Sequence, residues 1–155
     1  MKMIDLYPAG ERTEIGSRLF TPEDIVRFAS RFDPQIFHVD AEAARDTLFG
    51  GLCASGWHTC AVWMRTFVDY WKSETARLVA EGVKPPNLGP SPGFRNLQWL
   101  RPVFAGDTVT YGVTLLASRP MASRPGWTLN TIACDGTNQH GVPVLRFESS
   151  VLEFE

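Results

Sequence analysis

The 155-residue chain lacks the features of secreted, membrane-bound and nucleic-acid-binding proteins. Its three cysteines are scattered and do not have metal-ligand spacing, so neither a disulfide framework nor a metal site is predicted. No apolar run is long enough to span a bilayer, and no apolar segment follows the N-terminal lysine as in a secretory signal. The net charge of −2 lacks the basic surplus usual for phosphate binding. We expect a cytoplasmic protein without a metal, nucleic-acid or membrane partner.

The composition is that of an ordinary globular protein, with 44% hydrophobic and 21% charged residues. A chain of this length fits one domain and can bury roughly two thirds of its unfolded surface, so it needs no disulfide or metal for stability. We therefore expect residues 1–155 to form a single domain.

Two short helices are predicted in the first third of the chain. Thr21 suits an N-cap and Pro22 the first helical position, and apolar residues then follow helical spacing over residues 22–32. Pro34 ends this helix, because proline disfavours helical geometry in the residue before it. Residues 33–39 are then expected to form a turn and a short extended piece. Asp40 is the N-cap of a second helix that ends towards Gly50 and Gly51.

The longest helical pattern covers residues 56–71 and is apolar on almost every side, which predicts a buried helix. Residues 73–93 are interpreted as a fraying helical extension and then a Pro- and Gly-rich loop. A helix of this length matches a strand of seven or eight residues, so a sheet can wrap it. The remaining segments have strand character: residues 13–20, 94–100, 107–116, 126–136 and 143–154. The sequence predicts an α+β fold with an antiparallel sheet curled on one central helix.

Asp33 and His38 are the candidate acid/base pair. They lie five residues apart in a segment between two helices, where a turn can bring a carboxylate and an imidazole together. The alternative is that Asp33 caps a turn and His38 is a structural residue, and spacing alone favours it. His58, in the first turn of the long helix, is interpreted as a core histidine bonded to backbone, and His140 as an exposed turn residue.

Ser55, Gly56 and Trp57 open the long helix and are the candidate substrate-binding residues. The first N–H groups of a helix have no internal partners, and glycine permits close approach of a substrate carbonyl. The helix dipole then favours negative charge on that oxygen. The alternative is that the glycines here only allow tight packing of the helix entry. Ser55 is an N-cap candidate first and a ligand contact second.

Taken together, residues 20–59 (FTPEDIVRFASRFDPQIFHVDAEAARDTLFGGLCASGWHT) resemble the start of the MaoC-like dehydratases, which include (R)-specific enoyl-CoA hydratases. LRPVFAGDTVTYGVTLL and GVPVLRFESSVL resemble the later strands of that family. Asp33 and His38 match the spacing of the hydratase motif. Gln35 stands where the family has asparagine, and the proline has moved to position 34. The family's His-Gly at the helix entry is Ser55-Gly56 here, so only the glycine carries over.

The resemblance implies a hotdog fold and a hydratase or dehydratase of a 2-enoyl-CoA thioester that needs no cofactor. Asp33 and His38 would activate a water that adds to the β-carbon, while the Gly56 N–H polarises the thioester carbonyl. Family members pair their exposed sheet edges, so at least a homodimer is expected.

Two alternatives remain open. A hotdog thioesterase usually places an acid on the central helix, where the first acid of this chain is Asp69, far from the entrance. A non-catalytic subunit that binds acyl thioesters is the other alternative, and intact Asp33 and His38 speak against it.

Overall fold

A curved antiparallel sheet holds one long helix against its inner face in the computed structural model, which describes residues 1–155. The strands are β1 (Arg12–Leu19), β2 (Asn87–Leu88), β3 (Gly93–Trp99), β4 (Thr108–Pro120), β5 (Trp127–Thr137) and β6 (Pro143–Phe154). The helices are α1 (Met3–Leu6), α2 (Pro22–Phe32), α3 (Ile36–Val39), α4 (Ala41–Ala44) and α5 (Gly56–Ala80). The sheet order is β1-β4-β5-β6-β2, and β3 also pairs with β6. The predicted α+β hotdog architecture is confirmed, with the two-residue β2 in addition to the five expected strands.

The core lies between the inner face of the sheet and α5. Burial alternates residue by residue along β5, as a sheet with one covered face requires. Two polar contacts tie the helix to β4: the Trp63 Nε1–H donates to the Gly112 carbonyl at 3.2 Å, and the Tyr111 hydroxyl donates to the Thr59 carbonyl at 2.9 Å. These contacts fix the position of the first half of α5 along the sheet. None of the helices is long and apolar enough to cross a membrane.

The predicted boundaries of α2 are confirmed. The Thr21 hydroxyl accepts the Asp24 N–H at 3.1 Å, Pro22 occupies the first turn, and the helix ends at Phe32 before Pro34. Ile25 and Ala29 are fully buried, so the apolar side of α2 packs on the core. This packing places the residues that follow α2 near the start of α5.

Residues 36–39 form one helical turn, α3, and the prediction of an extended piece there is wrong. The His38 N–H donates to the Gln35 carbonyl at 2.9 Å, and the Asp40 N–H to the Ile36 carbonyl at 3.1 Å. Asp40 caps α4 as predicted, since its side chain accepts the N–H groups of Glu42 and Ala43. However, α4 ends at Ala44, and turns replace the predicted helix up to Gly50.

The central helix is longer and less buried than its sequence predicts. Residues 73–80 continue α5 as regular helix; Leu78 is buried there, and Arg77 pairs with Glu74 one turn before it and Glu81 one turn after it. Apolar residues on the side away from the sheet, among them Met64 and Val68, are exposed. A single sheet covers only one side of the helix, so the prediction of a helix buried on all sides is wrong for the single chain.

Candidate functional site

Backbone hydrogen bonds hold the segment after α2 next to the beginning of α5. The Cys53 N–H donates to the Phe37 carbonyl at 3.0 Å, and the Ala54 N–H donates to the Val103 carbonyl at 2.8 Å. The stretch before α5 therefore lies between α3 and the loop that precedes β4. As a result, Asp33 and His38 lie beside the opening turn of the long helix.

His38 is buried, and its ring orientation is set by the backbone. Its Nδ1 lies 2.6 Å from the Cys53 carbonyl oxygen. A carbonyl oxygen can only accept, so Nδ1 carries the proton and Nε2 of the neutral ring has a free lone pair. Nε2 points to Asp33 and lies 3.4 Å from its Oδ2. The two side chains thus face each other, with Nε2 of His38 turned towards Oδ2 of Asp33.

Asp33 is held by Gln35 on the side opposite to His38. The Gln35 Nε2–H donates to Asp33 Oδ1 at 2.7 Å. Burial raises the pKa of Asp33, but the hydrogen bond from Gln35, the nearby Ser55 hydroxyl and His38 together hold it below its ordinary value. The carboxyl group is therefore ionised at neutral pH and serves as an acceptor.

A pocket of about 380 Å³ opens beside the two side chains and reaches the start of α5. Its wall is mainly apolar and aromatic, with Asp33, His38, Cys53 and Arg101 as charged or titratable exceptions. The lining residues are Asp33, Gln35, Phe37, His38, Phe49, Cys53, Ala54, Gly56, Trp57, Thr59, Trp99, Leu100, Arg101, Pro102, Val103 and Val144. Such a wall suits an apolar chain with one polar reacting group.

The first turn of α5 lines this pocket and begins with unpaired donors. Neither the Gly56 N–H nor the Trp57 N–H donates to an acceptor in the chain. The Trp99 indole lies against Gly56 so closely that a Cβ there would be 2.3 Å from the Trp99 ring. The Trp57 and Trp99 rings meet edge to face, with centroids 5.0 Å apart. Gly56 is thus required for packing against Trp99, and it is one of the residues that line the pocket.

Ser55 occupies the N-cap position without capping the helix, contrary to the sequence-based preference. Its hydroxyl is fully buried and has no hydrogen-bond partner. It lies close enough to Asp33 to lower the pKa of that carboxyl without reaching hydrogen-bond geometry. The Ser55 carbonyl instead accepts from His58 and Thr59.

The other two histidines lie outside this pocket. His58 is buried and stacks on Phe28 with ring centroids 4.7 Å apart, so a core position is confirmed. Its Nδ1 has no partner, so the predicted backbone hydrogen bond is wrong, and burial lowers its pKa although Asp24 opposes this. His140 is exposed in the β5–β6 turn, as predicted. No three His, Cys, Asp or Glu side chains are arranged to hold a metal ion.

Three features of the site have no counterpart in the sequence prediction. The Cys53 carbonyl that orients His38 is a backbone acceptor 15 positions away, and no residue type marks it. Phe37 and Phe49 form an aromatic wall, with ring centroids 4.9 Å apart. In the sequence, the sign of this wall is that one aromatic residue precedes α4 and another follows it. Arg101 lies two residues after β3 and lines the pocket. In the sequence it is one of several dispersed arginines, and nothing distinguishes it from a solvated surface cation.

Comparisons with known proteins agree with this fold. Residues 8–126 match the family model described as MaoC like domain. The uncharacterized protein YdeM of Bacillus subtilis (strain 168) is 28% identical over 149 residues, which cover 96% of each chain. The crystal structure of the MaoC-like dehydratase from Rhodospirillum rubrum is 35% identical and superposes with a TM-score of 0.79, covering 100% of this chain and 97% of that one.

An (R)-hydratase from A. caviae involved in PHA biosynthesis shares the fold, with a TM-score of 0.64 at 22% identity over 92% of this chain and 94% of that one. At that identity the likeness supports the architecture alone. The family model covers most of the chain, and the Rhodospirillum rubrum structure covers all of it. The chain therefore belongs to the MaoC-like dehydratase family.

Proposed function

We propose that the protein is a hydratase/dehydratase that adds water to a 2-enoyl-CoA thioester or removes it from a 3-hydroxyacyl-CoA. The observation that carries this proposal is the distance of 3.4 Å between His38 Nε2 and Asp33 Oδ2 at the edge of an apolar pocket. An ionised carboxylate and a neutral imidazole nitrogen are both acceptors. A water molecule that donates one O–H to each of them is held with its oxygen lone pairs free.

The reaction needs one proton to leave the water and one to reach the substrate. The water oxygen forms the new bond to the β-carbon and gives its proton to the Asp33/His38 pair. The pair returns a proton to the α-carbon, so its charge is unchanged after one turnover. Dehydration follows the same steps in reverse. Because the Cys53 carbonyl holds the proton on His38 Nδ1, only Nε2 of this ring is available for transfer.

The negative charge that develops on the thioester oxygen needs a donor. The unpaired N–H groups of Gly56 and Trp57 begin a helix of 25 residues and line or adjoin the pocket. A carbonyl placed there would receive a hydrogen bond and the favourable field of the helix N-terminus. Trp57 and Trp99 supply an apolar wall for the acyl group, while exposed Arg101 suits the phosphates of coenzyme A.

The first experiment measures hydration of crotonyl-CoA, and of longer or branched enoyl-CoA esters, by loss of enoyl absorbance. We expect Asp33→Asn and His38→Ala each to lower kcat/KM by about 10²-fold or more, because each removes one half of the acid/base pair. His140→Ala, which changes an exposed histidine outside the pocket, should retain wild-type activity.

Equal activity of the wild type and both dyad variants would show that the assignment is wrong. Release of free thiol from acyl-CoA would indicate a thioesterase instead. Tight binding of CoA esters without turnover across the panel would indicate a non-catalytic acyl-thioester-binding subunit.

We also propose that the protein functions as a homodimer. The β3 strand pairs only with β6, so its other edge is free to pair with the same edge of a second copy. The exposed apolar side of α5 lies next to this edge through the contact of Trp57 with Trp99. A second copy joined at β3 would cover both surfaces at once.

A further inference from the structure

We propose that Gln35 is a positioning residue of the site: its side-chain amide holds the Asp33 carboxylate so that Oδ2 faces His38. This inference rests on the proposed Asp33/His38 pair and adds a third residue to it. Gln35 would act only through Asp33, because its Nε2 bonds the carboxylate and no bond links it to the imidazole.

The two oxygens of Asp33 have different partners. Oδ1 accepts the Gln35 amide at 2.7 Å, whereas Oδ2 lies 3.4 Å from His38 Nε2. The terminal torsion of an aspartate is broad, so an unrestrained carboxylate can turn either oxygen towards its neighbour. A hydrogen bond to a charged acceptor is about twice as strong as a neutral one. The amide therefore selects one orientation and leaves Oδ2 free to bind water.

The backbone of Gln35 is fixed to both members of the pair. Its N–H donates to the Asp33 carbonyl at 2.8 Å, and its carbonyl accepts the His38 N–H at 2.9 Å. Pro34, between the two residues of the first bond, has the fixed φ that such a tight turn needs. Replacing the Gln35 side chain leaves both backbone bonds in place. Because this side chain is exposed, its loss should not affect folding.

The pKa of Asp33 reports whether the hydrogen bond from the Gln35 amide is present. His38 from α3 faces the carboxylate, Ser55 lies near it from the start of α5, and Cys53 and Arg101 are the other titratable groups that line the pocket. Burial raises the pKa of Asp33, and the Gln35 hydrogen bond is the largest influence that lowers it. Without that bond the pKa must rise.

The experiment compares Gln35→Ala and Gln35→Glu with a matched control, Gln139→Glu. Gln139 makes the same kind of bond, from Nε2 to Asp107 Oδ1 at 2.8 Å, in the turn between β5 and β6. In Gln35→Glu, a second carboxylate beside Asp33 should move the acidic limb of the kcat/KM profile upward by about one pH unit or more. At neutral pH, kcat should fall by about tenfold in Gln35→Glu and severalfold in Gln35→Ala. KM should stay within about twofold, since the apolar and aromatic residues of the pocket wall are unchanged.

A second measurement does not depend on turnover. Titration of the Asp33 side-chain carboxyl by carbon-13 NMR in the full chain gives its pKa directly. We expect this pKa to rise in Gln35→Ala and further in Gln35→Glu, and to stay at the wild-type value in Gln139→Glu.

The two measurements separate failure of this inference from failure of the proposed function. An unchanged Asp33 pKa in both Gln35 variants, or an acidic limb and kcat equal to wild type, overturns the role of Gln35. If the pKa rises while Asp33→Asn remains as active as wild type, Gln35 does hold the carboxylate, and it is the catalytic role of the pair that fails.

Discussion

Gly56 combines two features at one position, because it lines the pocket with an unpaired N–H and leaves no room for a side chain beside the Trp99 indole. A Cβ at this position would be 2.3 Å from the nearest ring atom, which belongs to a rigid side chain and cannot give way easily. Gly51, a few residues earlier, is a useful contrast. A Cβ there would lie 3.8 Å from the Phe104 ring, an ordinary contact.

We predict that Gly56→Ala lowers the free energy of unfolding by about 1–3 kcal/mol through overpacking. It should also reduce kcat/KM, since Trp99 must leave the pocket wall. Gly51→Ala should change neither quantity. Urea unfolding and enoyl-CoA hydration provide the two measurements.

The same substitution made in a Trp99→Ala background tests the cause. If the clash with the indole is responsible, Gly56→Ala should cost little stability there, and the double-mutant cycle should show strong coupling. An equal cost in both backgrounds would mean that the strain comes from the backbone and not from Trp99.

The residues of the site differ in how much the sequence reveals. The five-residue spacing of Asp33 and His38 in a non-helical segment is a local pattern, and the structure brings the two side chains within 3.4 Å. The carbonyl that orients His38 belongs to Cys53, whose position depends on the pairing of two distant backbone segments. Every residue has a carbonyl, so no choice of amino acid signals this contact.

Two helix starts show that the same type of residue can play different roles. Thr21 caps α2, because its hydroxyl accepts the Asp24 N–H at 3.1 Å. Ser55 occupies the equivalent place in α5, but its hydroxyl is buried without a partner. Both residues are favoured N-caps by type, and only the surrounding fold decides which of them makes the bond.

We predict that Thr21→Ala lowers the free energy of unfolding by about 1 kcal/mol, the usual cost of a lost cap, while Thr21→Ser retains it. Ser55→Ala should be neutral or slightly stabilising, because it removes an unsatisfied buried hydroxyl. Urea unfolding of the three variants measures the difference. A loss in Ser55→Ala as large as that in Thr21→Ala would show that the Ser55 hydroxyl has a partner after all.

The elements themselves follow closely from local signals where those signals are strong. The cap and proline at the start of α2 predict its first residue, the alternation along β4 predicts that strand, and the β-rich composition of residues 126–136 predicts β5. The single turn of α3 is missed because four residues are too few for a helical period. The last two turns of α5 are predicted only as a fraying extension because their sequence is mostly polar, whereas in the structure Arg77 pairs with Glu74 and Glu81 and Leu78 is buried.

At the scale of the whole molecule, the apolar sides of α5 point in two directions. One side packs into the sheet, while Trp57, Ala61, Met64 and Val68 form an exposed stripe with a spacing of four, three and four residues. This is the spacing at which one helix packs along another. The stripe adjoins the free edge of β3 at Trp99. A helix that is apolar all round is therefore what the proposed homodimer would require, and not what the single chain requires.

Pairing of two copies along β3 would place the stripe of one α5 against the stripe of the other, so a charge within the stripe should separate them. We predict that the wild type sediments as a dimer at micromolar concentration and that Met64→Glu sediments as a monomer. Met64 is 49% exposed in the single chain, so the variant should keep its fold, which circular dichroism can verify. Leu48→Glu is the control, since Leu48 is 87% exposed and lies outside the stripe. A monomeric wild type, or a Met64→Glu variant that remains dimeric, would contradict this interface, because a buried unpaired carboxylate cannot be accommodated between two apolar helices without a large loss of affinity.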